Sequence, residues 1–341
     1  MVDELDQIGL FDERTDRQGL GGQPKRLLEL RKGRFFAAGL TFSRYSFEIA
    51  VLDLAGQIVD RRSVRPGDRS VLAIAKAASD TLDSIVMDRN LDRSTVVGIG
   101  CAMPGNFGDG GQSLLAHGVF AYFDSPSVLE AFKAAFELPV WLENDGSSAA
   151  IGEHVYGRQP NDGASLFFLH LGHGLGGGAV VNGAPFRGVN GNACLPGFLF
   201  PYGQPRPSGL DLLETLDRAG HRLDDFGDLE PALELYPEID QWIDRAGEQL
   251  SVAVLAASAF LDPSIIVVGG RLPRSINQRL VERIHGTSER GPSRGLSVAP
   301  TRAAELCLNL GDADNQAARF SASSVTSTPS GNLVPSMSFG N

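Results

Sequence analysis

The sequence predicts a duplicated α/β fold with a ligand cleft between its halves, and three observations predict it. The chain has 341 residues, too long for one ordinary core and suited to two packed domains. Two β-rich segments each open with a tight turn between antiparallel strand patterns. Each is followed by helix-period and strand-period runs in alternation.

The elements follow in order. Residues 1–33 are polar, of mixed charge and broken by Gly19, Gly21, Gly22 and Pro24, which reads as a helix end followed by a linker. Residues 35–41 and 45–54 read as strands, Ala55-Gly56 as a turn and Gln57–Arg62 as a third strand. Val71, Ile74, Ala75, Ala78, Leu82, Ile85 and Val86 recur at helical spacing, so 71–87 is predicted helical. Residues 95–103 form a buried strand ending at Pro104-Gly105. Pro126 opens a helix through Leu138, as proline does in a first turn. Pro139–Leu142 is a strand, and a helix starts at Asp145. In the second half, Leu166–Leu171 is a strand, Gly172–Gly178 a loop and Ala179–Asn182 a strand. Leu210–Asp217, Ile239–Asp244 and Gly247–Leu261 are predicted helices, and Ile265–Val268 is a strand closed by Gly269-Gly270. The Ser/Thr/Pro/Gly/Asn-rich tail, 321–341, is expected to be disordered.

Composition excludes several classes. Lys and Arg total 30 against 41 Asp and Glu, a formal net charge of -11, which makes a poor nucleic-acid binder without a separate basic module. Three cysteines exclude a disulfide scaffold and suit a reducing cytoplasm, the expected location. The charged first 20 residues do not read as a signal peptide, and no apolar run is long enough to span a bilayer.

Three segments could carry chemistry. In Gly172-His173-Gly174-Leu175-Gly176-Gly177-Gly178, repeated glycine lets backbone N–H groups approach a phosphate, or lets two backbones pack closely. No Gly-Lys-Ser/Thr follows, and a strand rather than a helix comes next, so neither a Walker loop nor a dinucleotide fingerprint fits. Glu143-Asn144-Asp145 sits between a strand and a helix. Its carboxylate and amide could take a substrate proton and hold a hydroxyl, or serve as an N-cap. The glycine-punctuated loop 188–198 holds no catalytic residue type, and Cys194 there reads as a small hydrophobe. Cys101, Cys194 and Cys307 are isolated and the six histidines form no spaced cluster, so no metal site is expected.

The order of these segments resembles the ROK family (repressors, open reading frames, kinases) of the sugar-kinase and actin-like superfamily. The matching stretches are VGIGCAMPG at 97–105, LPVWLENDGSSAAIGEHVYG at 138–157, LHLGHGLGGGAVVNGAPFRGVNGNA at 169–193 and LDPSIIVVGG at 261–270, within about residues 24–315. The resemblance implies two ribonuclease-H-like lobes. The N-terminal lobe would be 34–137, completed by a helix near 311–320, and the C-terminal lobe 138–310. It also implies a homodimer and a sugar or sugar-derivative ligand. By position, Asp145 would be the general base if the chain is a kinase, and Asn144 a sugar ligand. Pro104 and Gly105 would border the sugar. Gly172, His173, Gly174, Gly176, Gly177 and Gly178 would bind phosphate, and Gly269 and Gly270 would lie near a nucleotide base.

The departures from the family pattern point away from catalysis. The first phosphate loop, Asp-x-Gly-Gly-Thr in family kinases, is Thr41-Phe42-Ser43-Arg44-Tyr45, so Thr41 replaces the carboxylate that organises magnesium and Ser43 a glycine. The family's Ala-Gly-Glu-x-Gly-His becomes Ala193-Cys194-Leu195-Pro196-Gly197-Phe198. Leu195 thus stands for the sugar-binding Glu and Phe198 for the His that binds zinc and touches sugar. The Cys-rich segment that follows in the family is absent from 199–214, so no zinc is expected. Residues 1–33 resemble a remnant of a winged-helix wing and its linker, which family repressors carry and kinases lack. The resemblance therefore implies a transcriptional regulator lacking most of its DNA reader. The alternative is a sugar kinase that uses Mg-ATP.

Overall fold

The structure is a computed structural model and describes residues 6–16, 25–108, 113–116, 118–123, 127–157, 165–288 and 298–300. The helix expected near 311–320, the tail 321–341, Cys307 and the stretch 17–24 lie outside the described residues.

Two five-stranded sheets carry the molecule, and they share one plan. In the first, β3 (Phe36–Phe42), β4 (Phe47–Asp53) and β5 (Ile58–Val64) form an antiparallel meander. β6 (Val96–Met103) and then β9 (Val140–Asn144) add in parallel on the other side of β3. In the second, β10 (Leu166–Leu171), β11 (Leu175–Val181) and β12 (Ala184–Pro185) are antiparallel, and β13 (Ile265–Gly270) and β14 (Val298–Pro300) add in parallel. The strand orders, β5-β4-β3-β6-β9 and β12-β11-β10-β13-β14, are the same path drawn twice. β9 pairs with β6, so the first sheet runs on to Asn144, past the lobe boundary expected at 137.

Helix α1 (Val71–Asp88) starts where the Ser70 hydroxyl accepts the Ala73 N–H, and it buries Ile74, Ala78, Leu82 and Ile85 against the first sheet. Helix α2 (Val128–Phe136) packs beside α1. Helix α3 (Asp145–Tyr156) follows β9 directly. Its buried residues are small, among them Gly146, Ser148, Ala149, Ala150 and Gly152, so it lies close against β10 and β11. Helices α4 (Gly209–Arg218), α5 (Leu229–Ala232), α6 (Glu238–Leu261) and α7 (Arg274–Ser288) complete the second half. The sequence suggested two helices where α6 is continuous. Gly247 does not break it, because a Cβ there would lie 2.5 Å from Arg283 Cγ; the glycine lets α6 and α7 approach.

The lead-in is a hairpin of β1 (Phe11–Asp16) and β2 (Lys25–Leu30), in the segment expected to hold a helix end, a wing and a linker. Its base packs on the first sheet, with Leu10 buried among Ala37, Ala50, Leu52 and Leu54. Asp53 fastens the segment by accepting N–H bonds from Gly33 at 2.9 Å and Gln57 at 2.8 Å.

Candidate functional site

A cavity of about 320 Å³ opens between the two sheets. Pro104, Gly105 and Asn106 line it from the first half; His170, Gly172, Gly174, Gly176, Leu195 and Arg271 line it from the second. Asp145, the first residue of α3, lines it as well.

The placement of Asp145 is a packing consequence. A Cβ on Gly178 would lie 2.6 Å from the Gly146 carbonyl oxygen and from Ser147 Cα, and one on Gly146 would lie 2.6 Å from the Gly177 backbone. Only glycine at these positions lets α3 touch β11 backbone to backbone, which lays the helix N-terminus over Gly176. Gly177 and Gly178 are therefore strand residues packed against neighbouring backbone, and they line neither cavity. Strand β11 begins at Leu175, four residues before the sequence placed it, and only Gly172, His173 and Gly174 form the turn.

Asn144 lines the cavity, but its side chain also has structural work. Its Oδ1 accepts the Ser147 N–H at 3.1 Å as an N-cap, and its Nδ2 donates to the Gly105 carbonyl at 2.7 Å. The neighbouring Glu143 is buried and receives Arg187 Nε at 2.7 Å. Asn192 clasps Phe107 in strand β7 (Gly105–Gly108): its Oδ1 accepts the Phe107 N–H at 2.8 Å, and its Nδ2 donates to the Phe107 carbonyl. The loop after β12 is thus strapped across to the first half.

Sequence reasoning missed His170 and Arg271. His170 is only 7% exposed, and its Nε2 lies 3.6 Å from Asp145 Oδ2. Its Nδ1 is buried with no hydrogen-bond partner. The signal was a lone polar residue in the otherwise apolar run Leu166-Phe-Phe-Leu-His-Leu171. Arg271 follows Gly269-Gly270, which line neither cavity described here. Gly270 has φ +129° and presses against the Leu171 backbone, so the pair serves the chain path. That path delivers Arg271, whose N–H donates to the Leu171 carbonyl at 2.8 Å.

Other expected site residues fall elsewhere. Leu195 lines the cavity, but Phe198 does not: a 3-10 turn at Pro196–Leu199 turns it outward, 68% exposed. Thr41 is buried within β3 and lines neither cavity. Ser43, Arg44 and Tyr45 line a second cavity of about 270 Å³, together with Glu214, Asp217, Arg222, Asp224 and Asp225. His173 borders both cavities, packed edge-on to Phe120 (5.2 Å between ring centres) and Phe226 (4.9 Å). Cys194 adopts left-handed backbone, φ +64°, and burial pushes its thiol up to about 11, which leaves it a poor nucleophile. Among the described residues, no three His, Cys, Asp or Glu side chains converge as for a metal ion, and no helix is long and apolar enough to cross a membrane.

In chemical terms, the Asp145 carboxylate can accept a proton or a hydroxyl hydrogen bond in the first cavity. The second cavity sets four carboxylates against two arginines, a poor environment for a polyphosphate.

The chain is similar to known proteins of two kinds. It is 46% identical over 312 residues to the uncharacterized protein y4fQ of Sinorhizobium fredii, covering 91% of this chain and 80% of that one. It spans about half the length, or less, of several curated kinases and repressors it also matches. A ROK family transcriptional regulator, a homologue of the E. coli Mlc protein, superposes with a TM-score of 0.66 at 17% identity, over 94% of this chain and 88% of that one. A ROK family glucokinase from Streptomyces griseus, solved with glucose and AMPPNP, superposes with a TM-score of 0.64 at 18% identity, over 84% and 98%. The chain thus shares the α/β, actin-like fold of ROK kinases and ROK regulators alike. The ROK family model matches residues 38–200, a span that takes in every cavity-lining segment from Phe42 to Leu195, and the chain belongs to the ROK family.

Proposed function

We propose that this chain is the ligand-sensing and dimerising part of a ROK-type transcriptional regulator, with a sugar or sugar derivative held between the lobes. One observation carries the reading. The sugar side of the site keeps Asp145 facing a cavity, while the first phosphate loop has Thr41 for its carboxylate and opens on a cavity lined by Glu214, Asp217, Asp224 and Asp225. Phosphoryl transfer depends on neutralising phosphate charge, and this arrangement does the opposite. Residues that hold a sugar without ATP chemistry suit a sensor.

In this reading the β1–β2 hairpin is the wing of a DNA-reading module. Closure of the cleft on sugar changes the spacing of two such modules in a homodimer. The acidic chain by itself binds DNA weakly.

The test is ADP release with Mg-ATP and a panel of hexoses, pentoses and acylamino sugars, run beside Asp145→Asn and read together with melting temperature. The expected result is no turnover, with at least one sugar raising the melting temperature of the wild-type chain. Turnover that disappears in Asp145→Asn makes the protein a sugar kinase and overturns the regulator reading. A Thr41→Asp variant that gains turnover would show that the missing carboxylate was what silenced the site.

A further inference from the structure

We infer that the cavity between the lobes selects a sugar carrying its own negative charge, a carboxylate or a phosphate, over a neutral sugar. The inference rests on reading this cavity as a sugar site. Hydroxyl groups of a neutral sugar need acceptors as well as donors, and buried sites for them present carboxylates. Among the described residues, Asp145 is the only carboxylate on the lining. Leu195, also on the lining, is apolar and offers none.

The charge of Asp145 is also engaged inside the protein. Its Oδ1 accepts the Gly146 N–H at 2.8 Å, its Oδ2 faces His170 at 3.6 Å, and it lies at the positive end of the 12-residue helix α3. Against it the lining sets the Arg271 guanidinium and the imidazoles of His170 and His173. These groups are gathered. A Cβ on Gly172 would lie 3.3 Å from His170 Nε2 and 3.9 Å from Arg271 Cδ, so both side chains flank the Gly172–Gly174 turn. His170 is more than nine-tenths buried, and its Nε2 is the nitrogen beside the turn and Asp145. A wall that sets one guanidinium and two imidazoles against a single, internally engaged carboxylate fits an anionic group on the ligand.

The experiment is calorimetric titration of the full chain with matched sets: glucose, glucuronate and glucose 6-phosphate, and the galactose counterparts. The expected result is that one charged member binds at least about tenfold tighter than its neutral parent. That preference should shrink to within about threefold in Arg271→Gln and be partly retained in Arg271→Lys. Raising salt from about 50 mM to about 500 mM should weaken the charged ligand and leave the neutral one unchanged. The carboxylate and phosphate arms say which anion is read. A neutral parent that binds as tightly as its charged partners overturns this inference and leaves the sugar-sensing reading intact. So does Arg271→Gln, folded by its melting curve, with undiminished affinity for the charged ligand. If that variant does not fold, a salt-insensitive wild-type affinity for the charged ligand overturns it instead. Silence in every arm removes the sugar-sensing reading and this inference with it.

Discussion

The two lobes build the same hairpin in opposite ways. In the first, the turn between β3 and β4 carries side chains: Arg44 and Arg69 both lie over the Tyr45 ring, at 5.2 and 4.9 Å. Behind it β4 presents Phe47, Ile49 and Val51, and α1 meets these through its own apolar side chains. In the second, the turn is Gly172-His173-Gly174, and behind it Gly177 and Gly178 present bare backbone to α3. One topology can be assembled by interdigitating side chains or by touching backbones. Only the second kind brings a helix N-terminus, and so Asp145, to the cleft. The glycines that resemble a phosphate loop therefore split into a turn that faces the cavity and a packing surface that positions it.

The largest expected effect tests that packing surface. Gly178→Ala places a Cβ 2.6 Å from the Gly146 carbonyl oxygen and Ser147 Cα, neither of which moves without displacing α3. We expect a loss of about 3 kcal/mol or failure to fold, measured by urea unfolding. The side-chain contact in the other lobe should be graded by comparison: Ile49→Val should cost about 1 kcal/mol. Equal costs would break the comparison.

Next comes the outer edge of the first sheet, held by ions where the second sheet ends in the two-residue β12. Burial pushes the Asp60 carboxyl up, but hydrogen bonds from Arg89, Arg62 and the Arg61 N–H outweigh it and hold it below the usual carboxylate value. A lowered folded-state pKa gives stability that is present above the ordinary carboxylate range and is lost as pH falls through the folded value. Asp60→Asn should cost on the order of 1–2 kcal/mol at neutral pH. It should also flatten the loss of melting temperature in acid. An acid limb identical to wild type would show that the network adds nothing.

A smaller effect is expected where the lobes meet. His173→Ala removes the ring between Phe120 and Phe226 and should cost about 1 kcal/mol. It should also join the two cavities, so that a dye too long for one cavity gains affinity. Smallest is Ser43→Gly in the turn of the first lobe. The Ser43 hydroxyl is buried with no partner, so its removal offsets the glycine entropy, and the change should stay within about 0.5 kcal/mol. A large loss would mean that this turn, too, depends on its side chain.

Much of the fold was legible because the strands and α1 carry their own periodicity. The edges of the glycine run were not. Glycine carries no hydrophobic signal, so Leu175–Val181 read as a loop followed by a strand, although its partner β10 makes it a strand throughout. The sheet's last strand was equally silent, since nothing in Val140–Asn144 says that it pairs with β6. Of the site, Pro104, Gly105, Asn144, Asp145, Gly172, Gly174, Gly176 and Leu195 do line the cavity. Phe198 and Gly269-Gly270 do not, because a short 3-10 turn and a packed strand end direct them elsewhere.

The sequence by itself determined the two β-rich halves, the helix beginning at Asp145 and the glycines that such a helix needs, because local periodicity and backbone freedom are properties of neighbouring residues. Only the tertiary structure decided that His170 and Arg271 share a cavity with Asp145 and that His173 borders two cavities. Those side chains come from β10, from the end of β13 and from a turn, and they meet because parallel pairing of β10 with β13 sets His170 beside Gly269, two residues before the cavity-lining Arg271. Contacts made across that distance in sequence have no periodicity to announce them.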